Sequence, residues 1–355
     1  MPLPPIRFDP ILRARAWGGR RLGAFGKALP PAPATIGESW EIADLGPPVE
    51  DGVSRVLGGP FAGQTVSAML ERHGRAMLGA SAVPGGRFPW LVKYLDAAEH
   101  LSVQVHPTAR YAANHPGAHL KTEAWVVLDA TPGAAVFRGI RPDVTPDRFR
   151  AAVDAGTAVD LLVRVPVTPG DCVPLESGLC HALGAGVLVA EVQTPSDTTF
   201  RVYDWNRNDP ARPLHLDQAM ECILFGPDQH LEDAPVTSLD RLAAAWSDGL
   251  RAATLCRTAF FAIEAIEASP SGDAGPLEFG PTDGPEVLML GRGEAIMQSE
   301  GHARQHLHAG DTVLLPAERV PTMFDLSPGA LLLRASMPDA GQDHRDGPRA
   351  GEHLA

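Results

Sequence analysis

Three residues in the stretch LSVQVHP, at positions 101 to 107, have side chains that can do chemistry at a spacing that puts them together. Read as a β-strand, the stretch turns Leu101, Val103 and Val105 one way and Ser102, Gln104 and His106 the other. A hydroxyl, an amide and an imidazole in one row are costly on a buried face unless they have work to do. The same alternation puts Lys121 and Glu123 of LKTEAW on one face, and in GVLVAEVQ it groups Glu191 with Val187, Val189 and Gln193. A further histidine, His181, follows the turn VTPGDCVPLESGLCHALG at 167 to 184.

The elements that must hold these residues are mostly short strands. Runs such as LVKYLD, EAWVVLD, AAVFRG, GVLVAEVQ and TTFRVYDW are of strand length and bounded by turn residues. Two stretches, 64 to 79 and 145 to 165, carry apolar residues near helical spacing, the second behind a Thr145 cap. From 251 onward a second set of strands follows: AFFAIEAIEA, PEVLMLGRGEAIM, DTVLLP and GALLLRAS. The polar, Pro-rich FGPDQHLEDAPVTSLD between the sets reads as a linker, and the last residues, 341 to 355, as a flexible tail with almost nothing to bury.

A chain of 355 residues is longer than one small core usually organises, so two domains are expected, 1 to 240 and 251 to 340. The net charge of −13 argues against a nucleic-acid or anionic-membrane partner, while leaving room for a local basic pocket that holds one phosphate. Cys172, Cys180, Cys222 and Cys256 form no CxxC pair, no apolar run is long enough to span a membrane, and MPLPPIRFDP has no apolar signal core. These features predict a cytoplasmic protein, a monomer or a weak homo-oligomer.

The two halves share a pattern. VTPGDCVPLESGLCHALG and LHAGDTVLLPAERVPTMFD each place an apolar segment after a Gly-Asp turn, and aligning Gly170-Asp171 with Gly310-Asp311 sets His181 opposite Pro321. This reads as a duplicated unit in which only the first copy keeps its chemistry. His306-Leu307-His308 forms an HxH pair, but it falls just before the Gly310 turn with no third ligand where one should follow, and is read as non-metal.

Gly170, five residues, Glu176-Ser177-Gly178, two residues and His181 together resemble the second motif of the cupins, proteins built from jelly-roll β-barrels. The resemblance implies a mainly β protein of two cupin domains with a few helical additions. It also implies a metal held by His181 together with an earlier strand pair, VQVH and KTEAW. The implied ligands are Gln104, His106, Glu123 and His181, a mixed N/O set suited to Zn2+, although iron, manganese or cobalt would also fit.

FPWLVKYLDAAEHLSVQVHP, LKTEAW, PLESGLCHALG and EVQTPSDTTFRVYDWNR, in that order, resemble type I phosphomannose isomerase in its compact bacterial form, as do ARAWGG, IGESWEIAD and RPLHLDQAM around them. The likeness runs from about residue 7 to 225. It implies interconversion of mannose 6-phosphate and fructose 6-phosphate through an enediol, with a small sugar phosphate as the partner molecule. Arg201 falls at the family's catalytic arginine. Glu191 is the first candidate base and Lys121 its rival. Ser102 and Arg207 fall at positions that hold the phosphate, and Lys93 lies near the pocket. The chain departs from the family at Glu176, where a proline is usual, at Leu179-Cys180, and in lacking the acidic pair common after HP. Another sugar-phosphate isomerase, or an iron-dependent cupin oxygenase, would use similar ligands.

Overall fold

The computed structural model describes residues 2–81, 86–207 and 209–338, so the tail expected at 341 to 355 lies outside the described residues. In chain order the elements of the first part are β1 (Ile11–Arg13), β2 (Glu38–Ile42), α1 (Val66–Leu78), β3 (Leu91–Ala97), β4 (Val103–Val105), α2 (Ala109–Asn114), β5 (Glu123–Ala130), β6 (Ala135–Ile140), α3 (Pro146–Asp154), β7 (Leu162–Pro166), β8 (Cys172–Leu175), β9 (His181–Leu183), β10 (Val187–Gln193), β11 (Phe200–Tyr203) and α4 (Leu216–Cys222). The second part holds β12 (Leu250–Arg257), β13 (Ala262–Ala268), β14 (Leu277–Phe279), β15 (Glu286–Arg292), β16 (Glu294–Ser299), β17 (Gln305–His308), β18 (Thr312–Leu315), β19 (Thr322–Leu326) and β20 (Leu331–Ser336). The protein is mainly β.

Each part is a pair of antiparallel sheets. The first has strand orders β1-β2-β3-β10-β5-β8 and β11-β4-β9-β6-β7, the second β12-β13-β20-β15-β18 and β14-β19-β16-β17. The orders β2-β3-β10-β5-β8 and β4-β9-β6-β7 recur strand for strand in the second part. The duplication read from two Gly-Asp turns therefore extends through both sheets, and Gly170 and Gly310 share a φ of 97°. In the second part β19, which carries no histidine, stands where β9 with His181 stands in the first.

Strand alternation sorts the side chains between cores. From β10, Leu188, Ala190 and Val192 point back to a core that also takes α1 and residues Ile263, Val287 and Leu333 of the second part, so the two sandwiches meet back to back. Val187 and Val189 point inward to a core shared with Leu95, Trp125 and Leu183 from both sheets of the first sandwich. Glu191 and Gln193 continue that inward row. On β4 the rule runs the other way: Val103 and Val105 pack outward against Phe149, Val153 and Cys222 of the helices, leaving Gln104 inside. Apolar contacts thereby pin the register, because a one-residue slip would turn every polar group out of the interior.

Some elements differ from the sequence reading. The helix expected over 145 to 165 stops at Asp154, since Gly156 takes a φ of 73°, and Leu162–Pro166 is a strand paired with β6. The proposed linker packs tightly: the side chain of Gln229 is bonded to both Ile140 N and O, at 2.6 and 2.9 Å, and Thr237 pairs with Cys172. The N-terminal residues, assigned with the first unit, bridge to the second, Leu3 to Arg319 and Ile6 to Leu314. All four cysteines are free and buried, and none of the described helices is long and apolar enough to cross a membrane.

Candidate metal centre and active site

The polar rows predicted from alternation converge between the two sheets of the first sandwich. Gln104 on β4 pairs across from His181 on β9, and Glu123 on β5 comes from the facing sheet. His106 Nε2 lies 3.2 Å from Glu123 Oε2, and His181 Nε2 lies 3.2 Å from Glu123 Oε1. The ligating atoms of His106, Glu123 and His181 all fall within 4.8 Å of one another, and among the described residues no other group of three His, Cys, Asp or Glu side chains does so. His306 and His308 of the HxH pair are exposed on β17.

His181 is oriented by its backbone neighbour: Nδ1 sits 2.7 Å from Leu179 O, and donating there leaves the Nε2 lone pair toward Glu123 and Gln104. The Gln104 amide approaches Nε2 at 3.3 Å; a half turn about its last bond would present Oε1 at the same place. Both ring nitrogens of His106 and Glu123 Oε1 are buried without a well-formed hydrogen bond, while Glu123 Oε2 meets the Lys121 ammonium at 2.8 Å. Buried polar atoms left without a partner are expensive unless something binds them. Burial, then the Lys121 charge, holds His106 down to about 3, so the ring is neutral and its lone pair free near pH 7. Burial works to raise the Glu123 carboxyl, but Lys121 and His106 hold it well below the usual range. Two imidazole nitrogens and a carboxylate fit a divalent cation.

A cavity of about 330 Å³ opens beside this centre, with Gln104 and Lys121 on its wall. Ser102, Lys93, Glu191 and Arg201 line it as well. Lys121 Nζ lies 2.8 Å from Glu123 Oε2. Glu191 accepts from Trp125 Nε1 at 2.8 Å and pairs with Lys93 Nζ at 3.0 Å. Burial outweighs Lys93 and raises the Glu191 carboxyl, with the Glu123 charge adding to the rise. Lys93 donates to Gln193 Oε1 at 2.7 Å; burial lowers its pKa, yet Glu191 and Glu38 together hold it above its ordinary value. Arg201 on β11 gives Nη1 to Pro213 O at 2.8 Å and leaves Nε unpartnered.

Arg207 is placed differently from the other sequence-predicted residues. It is not on the cavity wall; its guanidinium is spent on Asp204 at 2.9 Å, His100 O at 2.7 Å and Glu99 at 3.2 Å. Arg15, Glu38, Asp197 and Arg212 do line the cavity and were given no role from sequence. Arg15 grips Glu38 at 2.7 and 3.3 Å. Burial would raise Glu38, but Lys93 and Arg15 bring it down to about 2. The stretches ARAWGG, IGESWEIAD and RPLHLDQAM contain Arg15, Glu38 and Arg212, so the family-like motifs marked the segments without marking the side chains.

The geometry matches known proteins over most of the chain. A family model described as phosphomannose isomerase type I, catalytic domain, matches residues 6–126. Mannose-6-phosphate isomerase ManA of Bacillus subtilis is 34% identical over 316 residues, which cover 84% of this chain and 96% of that protein. The chain belongs to the type I phosphomannose isomerase family. Within it, the mannose-6-phosphate isomerase of Streptococcus mutans is 32% identical over 328 residues, 90% of this chain and 95% of that protein. The crystal structure of the Bacillus subtilis mannose 6-phosphate isomerase is similar at a TM-score of 0.78 and 27% identity, covering 94% of this chain and all of that one. A zinc-bound mannose 6-phosphate isomerase shares the fold at a TM-score of 0.72 and 18% identity, over 95% of this chain. For this phosphomannose isomerase family member, the expected cupin sandwich and the His–Glu–His cluster thus occur together.

Proposed function

We propose that the protein interconverts mannose 6-phosphate and fructose 6-phosphate, using a divalent ion, zinc in the first place, held by His106, Glu123 and His181 with Gln104 beside them. The observation that carries the reading is the buried His–Glu–His triad, with the His106 nitrogens and Glu123 Oε1 lacking a hydrogen bond, beside a cavity walled by charged side chains. A bound divalent cation supplies fixed positive charge toward the oxygens of an open-chain sugar.

The remaining chemistry belongs to the protein's own groups. Aldose–ketose interconversion moves a proton between C2 and C1, and no electrons leave the substrate, so no redox cofactor is required. Glu191 is the proposed base. Burial keeps its pKa up, toward the range where a carboxylate takes a proton effectively, while Trp125 and Lys93 fix its orientation. Lys121 is the alternative proton carrier, although its ammonium is engaged by Glu123. Arg201, which makes no ion pair among the described residues and donates Nη1 to Pro213 O, offers a permanent charge to a developing enediolate. Ser102 and Lys93 line the same cavity and contact the sugar, whereas Arg207, expected at the phosphate, is not on the cavity wall. The four free thiols are in keeping with a cytoplasmic enzyme.

Replacing His181 with alanine tests the reading. The variant should fold, because the apolar cores do not depend on that ring, yet lose most bound metal and isomerase activity together. Metal content by elemental analysis decides it: full occupancy in His181→Ala would remove the proposed centre.

A further inference from the structure

The cavity wall carries five basic side chains, Arg15, Lys93, Lys121, Arg201 and Arg212. Three have carboxylate partners that themselves belong to the cavity wall or the metal centre. Glu38 holds Arg15, Glu191 holds Lys93 and Glu123 holds Lys121. A phosphate dianion at any of these would meet a carboxylate as well as a cation, and like charges at that range cancel the gain.

Arg201 and Arg212 are different. Arg201 bonds a backbone carbonyl, Pro213 O, next in sequence to Arg212, and the returning chain is held to its strand by His215 N to Arg201 O at 2.7 Å. The two guanidiniums are near enough that, after burial, the charge of Arg212 is the main influence lowering the Arg201 pKa. Arg212 does have a carboxylate partner, Asp204, but Asp204 is not on the cavity wall. It takes Nε at 2.7 Å and Nη2 at 3.1 Å, a two-pronged grip that does not use Nη1, while the Arg212 side chain lines the cavity. Ser102 lies on the adjacent strand end: β11 pairs with β4 so that Arg201 faces Gln104, and Ser102 is two residues from Gln104 on the inward row.

Arg207 stands at one remove. It braces the same Asp204 and ties it to the 99–100 segment. Trp205 and Asn206, at φ of 54° and 56°, bend the chain between them, and Trp205 Nε1 closes the bend on Leu101 O at 2.6 Å.

We propose that Arg212 is the side chain that binds the phosphate end of the substrate, with Ser102 beside it, and that Asp204 is the residue that positions it, braced in turn by Arg207. This rests on the isomerase reading and assigns the end of the cavity at which the phosphate sits. Arg207 then influences phosphate binding only through Asp204.

The test uses the metal-loaded full chain, with mannose 6-phosphate as substrate and inorganic phosphate as a probe of the anion site alone. Arg212→Gln keeps a donor for Asp204 and so guards against misfolding. It should raise KM for mannose 6-phosphate and the inhibition constant of phosphate together, by about ten- to a hundredfold, the range for hydrogen bonds to charged groups, with kcat within about threefold. Arg212→Lys should recover part of the loss. Asp204→Asn should raise KM less, and should add nothing in the Arg212→Gln background, because both act through one contact. Arg207→Ala should raise KM less than Arg212→Gln does. Unchanged constants in Arg212→Gln, or a larger effect from Arg207→Ala, would overturn the assignment. Stabilisation of the melting temperature by inorganic phosphate reads the same site without turnover. If the wild type is stabilised and Arg212→Gln is not, the anion site stands even should mannose 6-phosphate prove not to be the substrate. If the wild type gains no stability from phosphate, the anion site falls whatever the turnover.

Discussion

Lys93→Met should expose how strongly the cavity floor depends on paired charge. Lys93 and Glu191 are both nearly fully buried, with side-chain exposures of 5% and 3% and 3.0 Å between Nζ and Oε1. Removing the ammonium leaves Glu191 with one hydrogen bond, from Trp125 to Oε2, and nothing on Oε1. Breaking a buried pair from one side costs about 3–5 kcal/mol when the remaining charge must stay. Glu191 can escape that cost by taking a proton, which makes the loss depend on pH. Its folded-state pKa is already raised by burial and climbs further without Lys93. A group with a raised folded pKa is easiest to bury below its unfolded value and loses stability as pH rises through the folded value. The variant should therefore fall short of wild type by about 3–5 kcal/mol at pH 8 and by under about 2 kcal/mol at pH 5. Urea unfolding of the metal-free protein at both pH values measures it, and Lys93→Met/Glu191→Gln should regain most of the loss at pH 8. Equal losses at the two pH values with no recovery in the double variant would refute the reasoning.

Three further outcomes follow from named contacts. Arg201→Lys keeps a charge but not the planar fork, and should lower kcat by about 10² to 10³ with metal content and KM little changed; in the same assay Glu191→Gln should abolish exchange of the substrate C2 proton with solvent, while persistence of that exchange would shift the base to Lys121. The two duplicated turns should respond unequally to alanine: at Gly170 a Cβ meets no neighbour, so only the left-handed backbone is strained, about 1–2 kcal/mol, whereas at Gly310 it would also strike the Phe25 carbonyl. Thermal unfolding should rank Gly310→Ala well below Gly170→Ala, and equal melting points would contradict the packing at that turn.

Period-two alternation made most of the centre legible. Val103 and Val105 pack outward and leave Gln104 inside as the alternation required, whereas Leu101, read with them, lies before the strand and joins the inner core instead; Glu191 follows Val187 and Val189 inward. The Gly-Asp repeat pointed to a duplicated unit, and the strand order that recurs in the two parts extends that likeness to both sheets. Other features depend on contacts far apart in sequence. Nothing local to Arg15 or Glu38 shows that β1 and β2 add to the edge of the first sheet and bring that pair to the cavity. DWNRNDPARPLH is a polar, turn-rich stretch in which Arg207 and Arg212 look equivalent; only the bend at Trp205 and Asn206 and the double grip on Asp204 set Arg212 and not Arg207 on the cavity wall. The apolar DLLVRV resembled a continuing helix because short apolar runs carry no period of their own; pairing with β6 made it a strand.

On the proposed reading, isomerisation of mannose 6-phosphate depends on a metal held at the one buried His–Glu–His centre found among the described residues. The most direct measurement is the coupled conversion of mannose 6-phosphate to fructose 6-phosphate by protein stripped of metal and then titrated with zinc. Stripped protein should show negligible turnover, and activity should rise linearly with added zinc to a plateau at one zinc per chain. Full activity without metal, or none with zinc bound at one per chain, would contradict it.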